Sequence, residues 1–584
     1  MKANRGWWKK RWIKLNILWL IAILFPVQLR AGGQPPVQKS ARLGDNWFEA
    51  ISQLIALGED RAKSGRVSEA AALYDEANDK LNGILVGMSS PDSRASLISK
   101  MSQLYLQYYD LAVTQLGDLE KAFYILEQAR GRNIAESLQG HSDGTDGRQE
   151  AGAALKSELS RAQGQLWSAR QIEKRKEWLD KVFEIYSRMR PSAETRRRSL
   201  QSVFFKPIDL STLQTSLYPD ELVLEYVLQE PASSCLVIGK QQARVISLPG
   251  RQHIEDLIDR YRHEIGSRTS AAALAKELYD CLLGQVPDLK KAPRITIVAD
   301  GKLHMLPFES LVGPDAEHLI VSHLVDYTPS ATVLFLMRTE AAAERGSLPF
   351  LGIGDIPARK KDGGPAAAFQ RSSQKEKDRR PFPLETVRLS SLPASRDEVM
   401  ALSDLIGAKS VQLVGEKATE AALKAQPLSE FRILHFAVHG VSSEKFPGKS
   451  ALVMAPDPTL TEDGLFEAWE ISRLRLSSDL VVLSACDTGL GHLEIEGAAN
   501  LASSFLVAGA KTVVASLWSA DDYFTRTLMK QFYSYLVQGM DKGSALRLAK
   551  LALINLYGSN KAVPFFWAGF VMIGESSTPI FPEP

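Results

Sequence analysis

Arg432-Ile433-Leu434-His435-Phe436-Ala437-Val438-His439-Gly440 and, further along, Val481-Val482-Leu483-Ser484-Ala485-Cys486-Asp487-Thr488-Gly489 share one layout. Each is an apolar run that ends in one reactive side chain followed by small or turn-forming residues, the pattern of a β-strand running into a loop. The layout puts a His and a Cys at the C-terminal ends of strands, where an open α/β sheet carries its chemistry. A thiol is a strong nucleophile only as thiolate, and a nearby imidazole supplies the base. His439 and Cys486 are thus the candidate base and nucleophile. Taken singly, a strand-end His or Cys is more often structural; the two together, each at a strand end, point to chemistry.

Outward from these runs, residues 384–573 alternate short apolar strands with helices, which predicts a mostly parallel α/β sheet. Before them lies a basic, Pro/Gly-containing segment, residues 358–383, with Arg359, Lys360, Lys361, Lys375, Lys377, Arg379 and Arg380. Its low apolar content reads as a mobile linker. Strand signals recur at 222–228, 235–238, 244–248 and 295–298, with one helix expected over 254–283. Further upstream, residues 150–200 read as a long charged helix after a Gly/Asp-rich loop at 141–148. Residues 46–138 are helical throughout. There Gly65, Ala70 and Ala77 match Gly117, Ala122 and Ala129 in offset. A small residue at a turn and then at close helix–helix contacts is how tetratricopeptide-type hairpins pack. Two such units do not make a free solenoid, so the helices are expected to dock on something else.

The chain resembles the CHAT domain, a caspase-like cysteine peptidase domain often found behind tetratricopeptide-type helices. The resemblance lies in 435–440 (His-Phe-Ala-Val-His-Gly), 483–489 (Leu-Ser-Ala-Cys-Asp-Thr-Gly), 516–522 (Ser-Leu-Trp-Ser-Ala-Asp-Asp) and 566–570 (Phe-Trp-Ala-Gly-Phe). Upstream, Asp300-Gly301-Lys302-Leu303, Leu306-Pro307-Phe308-Glu309 and Tyr327-Thr328-Pro329-Ser330 also fit. His439 precedes Cys486 by 47 residues, close to the caspase spacing of about 50. The sequence departs from the family pattern at Ile495-Glu496-Gly497, where Gly-Glu-Gly is usual, and at Asn500 and Ser503.

The resemblance implies a caspase-like, mostly parallel sheet flanked by helices and preceded by an all-α helical-hairpin region. The expected divisions are a signal peptide or anchor (1–31), helical region (32–204), N-terminal CHAT subdomain (205–357), linker (358–383), catalytic subdomain (384–576) and tail (577–584). It implies a cysteine endopeptidase with a His439–Cys486 dyad. Gly440 lacks a Cβ, so its N–H can approach a reacting carbonyl, with the Cys486 N–H as second oxyanion donor. By similarity to separases, Asp522 would receive a basic side chain in a pocket walled by Trp518 and lined at the Ser516 strand end. The competing reading of Asp521 and Asp522 is an N-cap for the helix that follows. The implied partners are a protein or peptide substrate and a regulatory protein on the helices, with no cofactor. The rival class is a non-catalytic interaction scaffold.

His435 and His439 form His-x-x-x-His, but on a strand, without the Glu of the zinc-protease helix or a third ligand in view, so no metal is expected. Composition is that of a globular protein, 45% hydrophobic and 24% charged. The first 31 residues hold four Lys, three Arg and no acid; without those seven, 63 cations face 68 acids, net −5. That balance argues against a nucleic-acid partner. A basic N-terminus and the apolar run 15–27 read as an export signal, periplasmic or extracellular, although Leu29-Arg30-Ala31 is a poor cleavage site. An uncleaved membrane anchor is the alternative. Besides Cys486 the chain has Cys235 and Cys281, read as apolar fillers rather than a disulfide.

Overall fold

The computed structural model describes residues 47–86, 88, 91–142, 205–339, 346–357, 392–441, 450–458, 462–484, 501–518, 521–558 and 563–582. The segment read as a signal or anchor (1–31), the charged segment 150–200 and the whole basic linker 358–383 lie outside these residues.

The small residues singled out in the sequence build the helical region. Gly65 and Gly117 adopt left-handed φ of 73° and 63°, which only glycine takes without strain. Gly65 turns the chain from the Trp47–Lys63 helix into Val67–Val86, and Gly117 from Ser102–Leu111 into Leu119–Ala129. Ala70, Ala77, Ala122 and Ala129 are all buried. Gly58 completes the close approach: a Cβ there would lie 2.7 Å from the Tyr74 ring. The surface on which the hairpins dock is the rest of this chain. Phe123 packs with Leu213, Val223, Leu236 and Val298, and Ile134 and Ala135 join a second core cluster with Leu434 and Leu483.

Fourteen strands are described: β1 Glu221–Val227, β2 Ala232–Gly239, β3 Ala243–Pro249, β4 Arg294–Val298, β5 Leu324–Tyr327, β6 Leu348–Gly354, β7 Val411–Val414, β8 Phe431–Ala437, β9 Gly440–Val441, β10 Ala451–Val453, β11 Leu465–Glu467, β12 Leu480–Leu483, β13 Thr512–Ser516 and β14 Phe570–Gly574. Eleven make one sheet in the order β3-β2-β1-β4-β5-β14-β13-β12-β8-β6-β7. Seven of the ten pairings are parallel. The antiparallel β13–β14 pairing reverses direction mid-sheet and welds two parallel blocks together. This is the mostly parallel, helix-flanked sheet behind a helical region that the sequence implies. Strand β6 precedes the linker in sequence yet sits between β8 and β7, so the sheet does not follow chain order.

Alternation along β8 divides its neighbours between two layers. Ile433 joins Phe350, Val482, Val514 and the Asp522–Val537 helix. Leu434 and Phe436 face Leu501, Phe505 and the Leu501–Val507 helix on the other side. Each such core side chain contributes roughly 1.5–3 kcal/mol of burial.

The single helix expected over 254–283 is instead two, Arg251–Gly266 and Ala272–Leu282. Arg268 and Ala271 between them take φ of 58° and 46°. Ser267 donates its hydroxyl to His263 O and Thr269 donates to Glu264 O. These hydroxyls close off the helix end, the competition for backbone that Ser and Thr offer. Among the described residues no helix is long and apolar enough to cross a membrane.

Buried ions join the helical region to the sheet. Arg130, 2% exposed, donates to Glu225 Oε1 at 2.9 Å and to Tyr226 O, and lies 3.7 Å from Asp300. Glu127 accepts from the backbone N–H of Ala331 and Thr332, capping the Ala331–Thr339 helix. The family-like motif at 300–303 thus meets the helical region through Asp300, and the one at 327–330 leads directly into the helix that Glu127 caps.

Candidate functional site

The central parallel strands end together. Phe436 of β8, Leu483 of β12 and Ala515 of β13 lie in one row across the sheet, and Ser484 N–H still donates to Phe436 O at 2.9 Å. His439 stands three positions beyond Phe436, half-buried. Cys486 stands three positions beyond Leu483 in sequence; it and the rest of 485–500 lie outside the described residues. The strand ends needed for a His–Cys pair are therefore neighbours in matched register.

A small second sheet, β9-β10-β11, holds the chain just after His439. Val453 N–H donates to His439 O at 2.8 Å, and Gly440 faces Leu452. In an antiparallel ladder hydrogen-bonded and non-bonded pairs alternate. With 439/453 bonded, Gly440 is a non-bonded position and its N–H turns away from β10.

On the other side, Ser516 is 1% exposed and donates its hydroxyl to Trp518 O. That bond tightens the turn leaving β13. Leu517 N–H donates to Gly569 O at 2.8 Å. The Trp518 indole donates to Phe565 O at 3.0 Å and stacks on the Phe565 ring. A Cβ at Gly569 would come within 3.0 Å of that indole, so Gly569 makes room for Trp518. The helix Asp522–Val537 is capped by Asp521, whose carboxylate accepts from Tyr523 N–H. Capping thus belongs to Asp521 and leaves Asp522 as the first helical residue, its side chain outside the described set.

His435 stands at a buried polar node. It is fully buried; Nδ1 lies 3.0 Å from the Tyr533 hydroxyl and Nε2 2.9 Å from Glu398 Oε1, so both ring nitrogens are used. Among the described residues, Glu420, Glu462 and Glu470 are close enough together to share a cation. Lys424 Nζ already sits among them at 2.7, 3.0 and 2.8 Å. Desolvation pushes the Glu420 carboxyl up to about 7, while the three acids hold the Lys424 ammonium above its ordinary range. Cys235 and Cys281 are both free. Burial raises both thiols, Cys281 to about 11, so both stay protonated and unreactive. Cys235 is fully buried, as a filler should be, and Cys281 partly so.

Sequence reasoning missed the His435–Glu398–Tyr533 node and the Arg130 network. In both, residues distant in sequence meet only through the sheet order, and a lone Glu or Arg reads as a solvated charge.

Residues 272–575 match the model of the CHAT domain, more than half of the chain, and the chain belongs to the CHAT domain family. Tetratricopeptide repeat protein 28 of Mus musculus is 29% identical over 222 residues, and its Homo sapiens counterpart 27% over 216. Each alignment covers 31% of this chain but 8% of the relative, so the chain spans only a small part of the curated relatives it matches. Among solved structures, the Arg-specific cysteine proteinase gingipain R is similar at 12% identity, over 56% of this chain and 75% of that one, with a TM-score of 0.33. Separase from Saccharomyces cerevisiae, in complex with securin, is similar at 10% identity over 90% of this chain and 41% of that one, with a TM-score of 0.37. Scores this low carry no argument here, and the fold rests on the topology described above.

Proposed function

We propose that the chain is a cysteine endopeptidase acting through His439 and Cys486. The observation that carries the reading is the matched register of β8 and β12, which brings the two strand ends side by side. The Cys486 thiolate attacks the peptide carbonyl and forms an acyl-enzyme, His439 protonates the departing amine, and water then releases the acyl group. The Gly440 N–H, turned away from β10, is available to the oxyanion, with the Cys486 N–H as its companion. The helical region serves as the regulatory or substrate-docking module. Reaction with a peptide-based thiol trap tests the proposal: covalent labelling at Cys486 supports it. A chain that stays unlabelled, with and without added partner proteins, is a non-catalytic scaffold.

Specificity follows from the same strand ends. An incoming Arg or Lys would pair with Asp522 beside the Trp518 wall and the Ser516 turn. A charge-assisted contact of this kind, out of water, loses about 2–5 kcal/mol when one partner is removed. Cleavage of a peptide library should occur after Arg or Lys in the wild type and lose that preference in Asp522→Asn; cleavage after uncharged residues would reject the role of Asp522. The basic linker offers such sites within the chain. The described residues on either side of it are clasped together: Asp355 N–H donates to Ser395 Oγ and Arg396 donates to the Asp355 carboxylate, both at 2.7 Å. Self-cleavage between them should leave two fragments that co-elute, because β6 stays paired with β7 and β8. Mass spectrometry beside Cys486→Ala checks this, and an intact linker in both proteins rejects it.

Export is the location we infer from the N-terminal signal. Expressed in a Gram-negative host, the protein should reach the periplasmic or membrane fraction with a new N-terminus near residues 31–34. A cytosolic product beginning at Met1 would refute export, and an intact N-terminus in the membrane fraction would favour the anchor.

A further inference from the structure

The His435 node lies on the strand that leads to His439, yet the chemistry above makes no use of it. Its position faces the apolar layer of Phe350, Ile433, Val482 and Val514, where a Leu or Ile would bury as readily. A buried polar group is costly unless fully paired, and fully paired it fixes one arrangement. His435 is fully paired. Tyr533 comes from the Asp522–Val537 helix and Glu398 from the Pro393–Ile406 helix, both of which cover this face. The Phe350 ring closes the node, 6.2 Å from His435 and 6.1 Å from Tyr533.

Burial and the nearby Glu398 charge hold the Tyr533 hydroxyl well above its ordinary range, so it keeps its proton and is able to donate to Nδ1. In the tautomer with its hydrogen on Nε2, the ring donates to Glu398 and accepts the Tyr533 hydroxyl at Nδ1. A single tautomer satisfies both neighbours.

We propose that His435 is a positioning residue: it locks the His439-bearing strand against the helix that begins at Asp522, setting the distance between base and pocket. The inference rests on the peptidase reading above. Tyr533→Phe, which removes one hydroxyl and little volume, tests it. Peptide cleavage should lose about ten- to a hundredfold in kcat, the effect of a small misplacement of a catalytic group. KM should stay within about twofold, since ground-state binding is not what the node serves. Glu398→Gln should behave alike. The His435→Gln variant, whose amide can donate to Glu398 and accept from Tyr533, should recover most of the loss seen in His435→Phe. The imidazole ¹⁵N shifts of His435 should report protonated Nε2 in the wild type and a mixture in Tyr533→Phe. A reactive wild type with unchanged kcat in Tyr533→Phe and Glu398→Gln overturns the positioning role alone. A wild type inert to both trap and peptides overturns the peptidase reading, and the positioning role falls with it.

Discussion

Cys486→Ala and His439→Ala should each abolish peptide cleavage and thiol-trap labelling while leaving a cooperatively folded chain. The expectation follows from division of labour. Without the thiol there is no nucleophile; without the imidazole the thiol loses its activating base and the departing amine its proton donor. Residues that act as one unit lose their effect together, so the double variant should be little worse than either single one. What remains would be the contribution of oxyanion donors and binding. A single donor of that kind is worth about 10²–10³ in rate, so substitutions at Gly440 that disturb the β9–β10 ladder should be graded, not absolute. Folding should survive because His439 is half-buried beyond the end of β8, and its backbone bond to Val453 does not depend on its side chain. Peptide turnover and a urea melt for each variant make the check. Substantial turnover by Cys486→Ala would end the assignment.

Much of the architecture was legible because it depends on local pattern. The apolar runs before His439 and Cys486 read as strands since they alternate or run apolar over a short span, and they end where small residues begin. The paired offsets of Gly65, Ala70, Ala77 and Gly117, Ala122, Ala129 revealed two hairpins because only small residues fit those turns and contacts. The break at Arg268 and Ala271 was not legible: neither favours positive φ, and the hydroxyls of Ser267 and Thr269 close the helix through bonds that periodicity does not register. The buried ions were hidden for a different reason. Glu398 lies 37 residues from His435 and Glu225 lies 95 from Arg130, and only an eleven-stranded sheet out of chain order brings them together.

Arg130→Met should destabilise the chain by about 3–5 kcal/mol, the usual penalty for removing one partner from a buried ion pair. Arg130 stands between Glu127, Glu225 and Asp300, all 3% exposed or less. It is the guanidinium that bonds Glu225 and the Tyr226 carbonyl. Arg251 lies at the same 3.7 Å from Asp300 but is partly exposed, and its closer bond is to Glu255 at 2.9 Å, so it is a poor replacement for that buried charge. Three carboxyls against one buried cation leave an excess that the fold meets by holding protons: burial raises the Glu127 carboxyl, and raises that of Glu225 to about 8. The sign of the pH dependence follows. A carboxyl whose folded pKa is raised binds its proton more tightly in the folded chain. Its stabilising share is fully present below the ordinary Glu range near 4.5 and is lost as pH rises toward about 8. Stability should therefore fall between pH 5 and about pH 8 through this group, and Glu225→Gln, which keeps the shape without the charge, should flatten that fall. The weakening should begin where the helices meet the sheet. Hydrogen exchange in 119–142 and 331–339 should accelerate before exchange in β8 and β12, since Glu127 caps the Ala331–Thr339 helix from the helical side. Urea unfolding of the full chain at several pH values, with exchange by mass spectrometry, measures both effects. Arg130→Met within about 1 kcal/mol of wild type would mean that the network is screened by water, and that the helical region is held to the sheet by apolar packing around Phe123 and Ile134 instead.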